Sequence, residues 1–444
     1  MCKVTVIMPS LNVVRYIVKC LDSVVDQTLE DIEILAIDAG STDGTSEIIQ
    51  SYADRDSRIH FIHSDRKSYG YQVNLGLSMA QGEYIGIVET DDWIETDTYE
   101  VMYQLACQYE ADYVRGVAEN YKEVINDLPY SYPINIFSAK DYEKNKGVIQ
   151  INPQNQKDIV IKDRYLWNGI YKRDFLKGIN LNETAGAAYQ DVGFLSQVYD
   201  KATNAVYVDK LIYHYRKDNE DCSCNSRNAF RYLVEEYKFV HEHLGSADKI
   251  WKLYNDARYF YQIYARFNLM AGTGEYWEEA KPYIDEMYNY FQGRKEVIPF
   301  LGEHLREGYG LFIDSPMKLY ESLREKNIYE QSEWETFLSK LKDRDIVIFG
   351  SGKRGYFLQI LLCKRNVGYV LGYCDNDRTK MGKELHGLIV RPLNEWIRNL
   401  ESHNICYVVT AMTCMDEIEK QLLESGISRD NIVLFKLPRN LSIL

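Results

Sequence analysis

The chain has 444 residues, 45% of them hydrophobic and 27% charged, with a net charge of −14. That length holds two or three domains of ordinary globular composition, and the acidic balance excludes a nucleic-acid backbone as a partner of the protein as a whole. No apolar run reaches the roughly 18 residues that a membrane helix needs.

The first 117 residues alternate strand and helix patterns. Val4 to Met8 predicts a buried strand, and Tyr16, Ile17, Cys20, Leu21 and Val24 recur at helical spacing. Ile32 to Asp38 predicts the next strand and Thr45 to Asp54 the next helix, with Thr45 as its N-cap. A third strand follows at Ile59 to His63, a third helix at Tyr71 to Ala80, and a fourth strand at Tyr84 to Glu89. Such alternation predicts an α/β domain with a mostly parallel sheet and helices on both faces. Ligands of these sheets bind at the C-terminal ends of the strands, where Asp38 and Glu89 both fall.

Residues 118 to 164 are irregular and polar and read as an insertion with weak strands at most. Pattern returns at Tyr165 to Leu176 and Gln190 to Tyr199, then in short strands at Ala205 to Val208 and Leu211 to Tyr215. From Asn228 to about Leu341 the pattern is helical and aromatic, as in Tyr237, Tyr254, Tyr259 and Phe267. Stripes of this kind form cores or subunit interfaces, which leaves a homo-oligomer open. At Asp345 a third pattern begins, and the expected domains are 1–225, a helical region 226–341 and a small Rossmann-like α/β unit 342–444.

Nine cysteines, an odd number, read as free thiols in a reducing compartment. The close pair Cys222 and Cys224 lacks the spacing of a zinc site. Met1 to Pro9 is too short and strand-like for a secretory leader. The expected location is the cytoplasm, with peripheral contact at the inner face of the membrane left open.

Glu89-Thr90-Asp91-Asp92-Trp93 follows an apolar strand. Carboxylates at a sheet edge supply the hard oxygen ligands that suit Mg²⁺ or Mn²⁺ and, through the ion, a diphosphate. Transfer of a sugar from a nucleotide diphosphate needs a grip on the nucleotide, neutralisation of the departing diphosphate, and a base for the acceptor hydroxyl. Asp38 can accept from the N3–H of uracil, Glu89 and Asp91 can hold the cation, and Asp191, near a helix start, can serve as base. Asp43 and Thr45 equally read as turn and cap residues. Arg66 and Lys67 read as diphosphate contacts or as solvated surface. His214 reads as a packed strand histidine, and Arg216 and Lys217 as diphosphate contacts or ordinary surface.

Val4 to Asn12 resembles the opening strand and turn of family 2 glycosyltransferases. Ile37-Asp38-Ala39-Gly40-Ser41-Thr42-Asp43-Gly44-Thr45 is similar to that family's nucleotide-binding turn. Gln81 to Ile85 with Glu89 to Trp93 resembles its D-x-D segment, and Tyr165 to Tyr171 with Tyr189-Gln190-Asp191 resembles its acceptor-side elements. The resemblance spans about 215 residues of the chain. It implies a GT-A fold, a UDP-sugar donor, inversion at the anomeric carbon, Mn²⁺ or Mg²⁺, and a glycan, lipid-linked or protein acceptor in bacterial surface glycan synthesis. By residue it implies Pro9, Asn12, Asp38, Lys67, Thr90 and Asp91 on the nucleotide-sugar, and Glu89 and Asp91 on the metal. It further implies Asp191 as catalytic base and Asp92, Trp93, Trp167 and Asn168 on the acceptor side. Two departures are Ala39, where the family often has a second Asp, and Glu89, where its D-x-D begins with Asp.

In the C-terminal unit, Gly350, Gly352 and Gly355 form a G-x-G-x-x-G turn between a strand and a helix, with Asp375 twenty residues on. That context fits a dinucleotide fingerprint, although the unit is short for a full dinucleotide domain, and a structural or oligomerising role is the stronger expectation. Two other functions stand beside sugar transfer: an NAD-linked oxidoreductase or epimerase driven by this unit, and a non-catalytic assembly protein. No Tyr-x-x-x-Lys pair follows the unit to support the former.

Overall fold

The computed structural model describes residues 2–124, 128–219, 226–244, 248–273, 276–398 and 404–436, so Cys222 and Cys224 lie outside the described residues. The chain divides into two compact units. The first comprises Met1–Tyr121, Pro133–Phe267 and Glu275–Leu319, and the second Lys122–Tyr132, Asn268–Gly274 and Tyr320–Leu444.

In the first unit β1 (Val4–Ser10) and β2 (Ile32–Asp38) are buried at every position, as expected of parallel strands covered on both faces. β1 pairs in parallel with β2 on one side and with β4 (Tyr84–Ile87) on the other, and β3 (Ile59–His63) extends the sheet beyond β2. The helices between them are α1 (Ile17–Val25), α2 (Thr45–Ala53) and α3 (Tyr69–Met79). Ile17, Cys20, Leu21 and Val24 form the buried stripe of α1. Two helix starts differ from expectation. Gly44, at φ 105°, takes the cap position ahead of Thr45, and α3 begins at Tyr69 because the Ser68 hydroxyl accepts from the Tyr71 amide at 3.3 Å.

The rest of the sheet is mixed. After the two-residue strand β5 (Trp93–Ile94) and α4 (Thr98–Tyr109) come β6 (Tyr113–Val124) and β7 (Leu128–Ile134). Then follow α5 (Ala139–Lys144), β8 (Val148–Ile151), α6 (Ile159–Lys162), β9 (Gly169–Lys172), α7 (Gln190–Lys201) and β10 (Ala205–Arg216). The strand order is β3-β2-β1-β4-β9-β6-β10-β5, with β7 on β6 and β8 on β10. β9 runs antiparallel to both β4 and β6. The segment expected to be irregular thus supplies strands and helices of the domain. The two short strands expected after Ala205 are one strand, interrupted by register shifts between Tyr207 and Tyr213.

Helices α8 (Ala229–His243), α9 (Lys249–Thr273), α10 (Trp277–Phe291), α11 (Glu303–Asp314) and α12 (Pro316–Leu341) follow. Their aromatic stripe is largely core: Tyr237 stacks on Tyr259 at 3.8 Å, and Phe260 packs edge-on to Tyr309 at 4.8 Å. No helix among the described residues is long and apolar enough to cross a membrane.

The second unit holds β11 (Asp345–Phe349), α13 (Lys353–Arg365), β12 (Tyr369–Cys374), β13 (Glu384–Leu385), β14 (Leu388–Arg391), α14 (Leu393–Arg398), β15 (Ile405–Val409), α15 (Met415–Glu424) and β16 (Ile432–Leu434). Its strand order is β13-β14-β12-β11-β15-β16, parallel except for β13. Separate apolar clusters around Ile346 and Ile348, and around Val347 and Phe349, cover the two faces, as the alternation of a central strand requires.

Candidate active site

The turns that leave β1 and β2 are tied to each other. Asp38, at the end of β2 and 1% exposed, accepts from the Gly40 and Ser41 amides at 3.1 and 2.9 Å and from the Ser41 and Ser46 hydroxyls at 2.5 and 2.8 Å. Three of these donors converge on Oδ2 and one reaches Oδ1, so Asp38 folds the turn while Oδ1 keeps one of the roughly four acceptor positions of a carboxylate. Asn12, at φ 53°, accepts from the Thr42 amide at 2.9 Å and donates its own amide to Ser41 Oγ at 2.8 Å. Asp43 accepts from the Val14 amide at 3.0 Å and from the Thr45 hydroxyl at 2.7 Å. Gln72, which sequence reasoning missed, donates to the carbonyls of Ser10 and Ile37 at 2.9 and 2.7 Å and clamps the ends of both strands.

Across β1 from Asp38, β4 leads into the acidic loop. Carboxylate oxygens of Glu89, Asp91 and Asp92 lie within 4.8 Å of one another. Thr90 donates to the Pro9 carbonyl at 2.8 Å, which pins this loop to the end of β1. Asp92 is 1% exposed and accepts one hydrogen bond on each oxygen, from the Tyr213 hydroxyl and the Arg216 amide, each at 2.7 Å. The Asp91 side chain accepts from Asn219 at 2.9 Å, and its carbonyl accepts from Arg216 Nε at 3.1 Å. Burial, Asp91 and Asp191 together push the Glu89 carboxyl up to about 8, against the pull of Tyr69 and Lys217. The same crowding, burial first and then Glu89 and Asp191, raises the Tyr69 phenol well above its ordinary value.

Asp191 is the second residue of α7 and lies near enough to Glu89 and Tyr69 to raise both. Burial lifts its own carboxyl, opposed by the Arg258 guanidinium and by backbone amides of the first turn of α7. Behind it Glu236 accepts from the Gly193 amide at 2.7 Å and from Asn182 at 3.0 Å. Burial raises Glu236 to about 8.

The expected acceptor-side residues form an aromatic wall. Trp167 stacks on Tyr213 at 4.1 Å and on Tyr165 at 4.7 Å. Trp93 stacks on His214 at 4.7 Å, and Lys19 Nζ sits 3.2 Å from the centroid of the Trp93 ring. His214 is a packed strand residue, its ring nitrogens 2.8 and 2.7 Å from Glu119 and Glu95. Asn168 is 1% exposed, and neither polar atom of its side chain has a hydrogen-bond partner. Lys67 is exposed, with its carbonyl accepting from the Gly186 amide. Arg66 pairs with Glu183 at 3.1 Å.

The structure thus gathers Glu89, Asp91 and Asp92, with Asp191 bearing electrostatically on Glu89, and sets Pro9, Asn12, Asp38 and Thr90 at the same edge of the sheet. Sequence reasoning missed Tyr69, Tyr213, Asn219 and Glu236. Tyr213, directly before His214 in a strand the sequence predicts, was the one available signal. The donor set at Glu89 and Asp91 is all carboxylate oxygen and fits a hard divalent cation. Asp92 is already bound internally and fits a supporting position.

Residues 5–179 match glycosyl transferase family 2. Glycosyltransferase GlyA of Streptococcus pneumoniae serotype 4 is 32% identical over 220 residues, which cover 48% of this chain and 30% of GlyA. GlyG of the same organism is 28% identical over 223 residues, covering 48% of this chain and 70% of GlyG. The chain therefore spans less than a third of the first of these relatives and about two thirds of the second. A structure of residues 1–349 of S. aureus TarS with UDP-GlcNAc superposes with a TM-score of 0.58 at 19% identity, over 74% of this chain and 92% of that one. The shared fold is a GT-A-like α/β sheet.

Proposed function

From the match of residues 5–179 to glycosyl transferase family 2, we propose that the protein moves a sugar from a nucleotide-diphosphate donor, a UDP-sugar first, to a hydroxyl of a glycan, lipid-linked or protein acceptor in bacterial surface glycan synthesis. The observation that carries this reading is the meeting of Glu89, Asp91 and Asp92 within 4.8 Å, with Asp191 close enough to raise Glu89. Three acids share one small volume and the charge of a fourth, Asp191, bears on Glu89, and such crowding costs free energy unless a cation or a proton relieves it.

Glu89 and Asp91 hold a Mn²⁺ or Mg²⁺ ion in this reading, and the bound ion supplies charge neutralisation to the departing diphosphate. Asp191 accepts the proton of the acceptor hydroxyl. The acceptor oxygen then bonds to the anomeric carbon as the bond to the diphosphate breaks, with inversion. Its raised affinity for protons makes Asp191 a better base than an exposed carboxylate. Trp93 flanks the acceptor, the buried Trp167 and Asn168 support the site from the core, and the turn of Asn12 and Asp38 holds the nucleotide.

A panel of nucleotide sugars with and without Mn²⁺, read by thermal unfolding, tests the donor. One donor should stabilise the chain in a metal-dependent way. Asp191→Asn should keep that stabilisation and lower turnover by about 10²–10⁴. Turnover within a few-fold of the parent removes Asp191 from the base role, and the absence of any metal-dependent donor shift removes the reading itself.

A further inference from the structure

Residues 5–179 match the family, and Asp191 with the helices packed around it lies beyond them. α8 meets α7 where Glu236 accepts from the Gly193 amide at 2.7 Å. A Cβ on Gly193 would fall 2.5 Å from that carboxylate and 2.6 Å from the Phe239 ring, so glycine is what admits α8 this close. α9 meets α7 where the Ser196 hydroxyl donates to Asn255 Oδ1 at 2.7 Å. Arg258 follows Asn255 by three residues, which sets the two on one face of α9.

Arg258 is 1% exposed. Its Nη2 donates to the Arg164 carbonyl at 3.3 Å, directly before the aromatic wall of Tyr165 and Trp167. Its Nε and Nη1 are enclosed without a hydrogen-bond partner. A buried guanidinium with bare donors is costly and needs a counter-charge beside it. Asp191 and Glu236 both lie near enough to feel it. Glu236 already has the Gly193 amide on one oxygen and Asn182 on the other. Burial raises it to about 8, so it carries little charge at neutral pH. Asp191 is left as the counter-charge. The other groups that face Asp191 are acidic or neutral: Glu89 from the loop after β4, Tyr69 from α3, Tyr171 from β9 and Glu236 from α8.

We propose that Arg258 is a positioning residue of the transfer site: its guanidinium orients the Asp191 carboxylate toward the acceptor and supplies its counter-charge, while Nη2 fixes the segment that begins the acceptor wall. This rests on Asp191 as the base. It gives the helical region a part in the chemistry, where the aromatic stripe alone pointed to core or subunit contact.

Two measurements on the full chain test it. The first needs no activity. Melting temperatures are compared for the parent, Arg258→Gln, Asp191→Asn and the double variant in EDTA. Arg258→Gln leaves Asp191 buried without its cation. It should therefore lower the melting temperature more in the parent than in Asp191→Asn, where no charge is stranded. If Arg258→Gln alone does not fold, adding Asp191→Asn should restore folding. Equal losses in the two backgrounds, or a double variant that also fails to fold, overturn the proposal.

The second measurement separates positioning from packing. UDP release from UDP-glucose and from UDP-GlcNAc is followed against pH, with saturating Mn²⁺ and water as acceptor. Without its cation Asp191 takes up a proton at higher pH, so the acid limb of kcat/KM should move up by about 1–3 pH units in Arg258→Gln. Arg258→Lys keeps the charge and should recover most of that shift. Its ammonium lacks the planar fork that orients a carboxylate, so kcat should stay below the parent's. An acid limb unmoved in folded Arg258→Gln, or displaced as far in Arg258→Lys, overturns this inference alone. Parental turnover in Asp191→Asn overturns the base assignment on which it rests.

Discussion

Glu236 is wholly buried, and burial raises its carboxyl to about 8 against the hydrogen bonds from Gly193 and Asn182. Unfolded, the same group titrates near about 4.3. Between those values the native chain holds a proton that the unfolded chain releases, so stability falls as pH rises through the interval. Glu236 is therefore least costly below the unfolded value, and its penalty is complete once pH has passed about 8. Asp191, Arg258, Gly193 and Asn182 are the groups that act on it. Melting temperatures measured from about pH 5 to 8.5 should fall more steeply for the parent than for Glu236→Gln, which cannot ionise. Parallel curves would show that Glu236 ionises without penalty. No sequence pattern singles out this glutamate, because α8 carries other acidic residues and the close approach of Gly193 to its carboxylate is a tertiary contact. Asp38 is the opposite case. Its position at a strand end was legible, whereas its four internal donors were not, since Ser46 reaches back from a helix that follows.

At the scale of elements, the parallel half of the sheet was legible because β1 to β4 are apolar runs joined by amphipathic helices. The mixed half was legible only at β10, expected as two short strands. β9 has four residues, and its place is fixed by partners on both sides, Gly86 with Ile170 and Val114 with Ile170. A strand so short has no pattern of its own. What anchors this half is Arg115 on β6, fully buried, which donates to Asp163 at 3.1 Å and to the Leu166 carbonyl at 3.1 Å. The guanidinium also lies over the Tyr171 ring at 4.7 Å. Removing one partner strands the other charge in the core, so Asp163→Ala should destabilise the first unit by about 3–5 kcal/mol. Arg115→Met with Asp163→Leu should recover most of that loss, because an apolar pair of similar volume carries no desolvation cost. Denaturant midpoints of the three proteins decide it. A double variant no more stable than the single one would mean that the pair is worth its burial.

At the scale of the whole chain, the two units each have a sheet and an apolar core of their own. Cooperative unfolding follows a continuous core, and chains with more than one core depart from two-state behaviour. Calorimetry should therefore resolve two transitions, the larger enthalpy belonging to the first unit, since unfolding enthalpy scales with residues at about 0.7 kcal/mol each near 60 °C. The proposed donor and Mn²⁺ act on the first unit alone. At a concentration of about 100 times Kd they should add about 2.7 kcal/mol to that transition and leave the smaller one in place. A donor with Mn²⁺ that moves only the smaller transition would place nucleotide recognition in the wrong unit and would undo the assignment of Glu89 and Asp91.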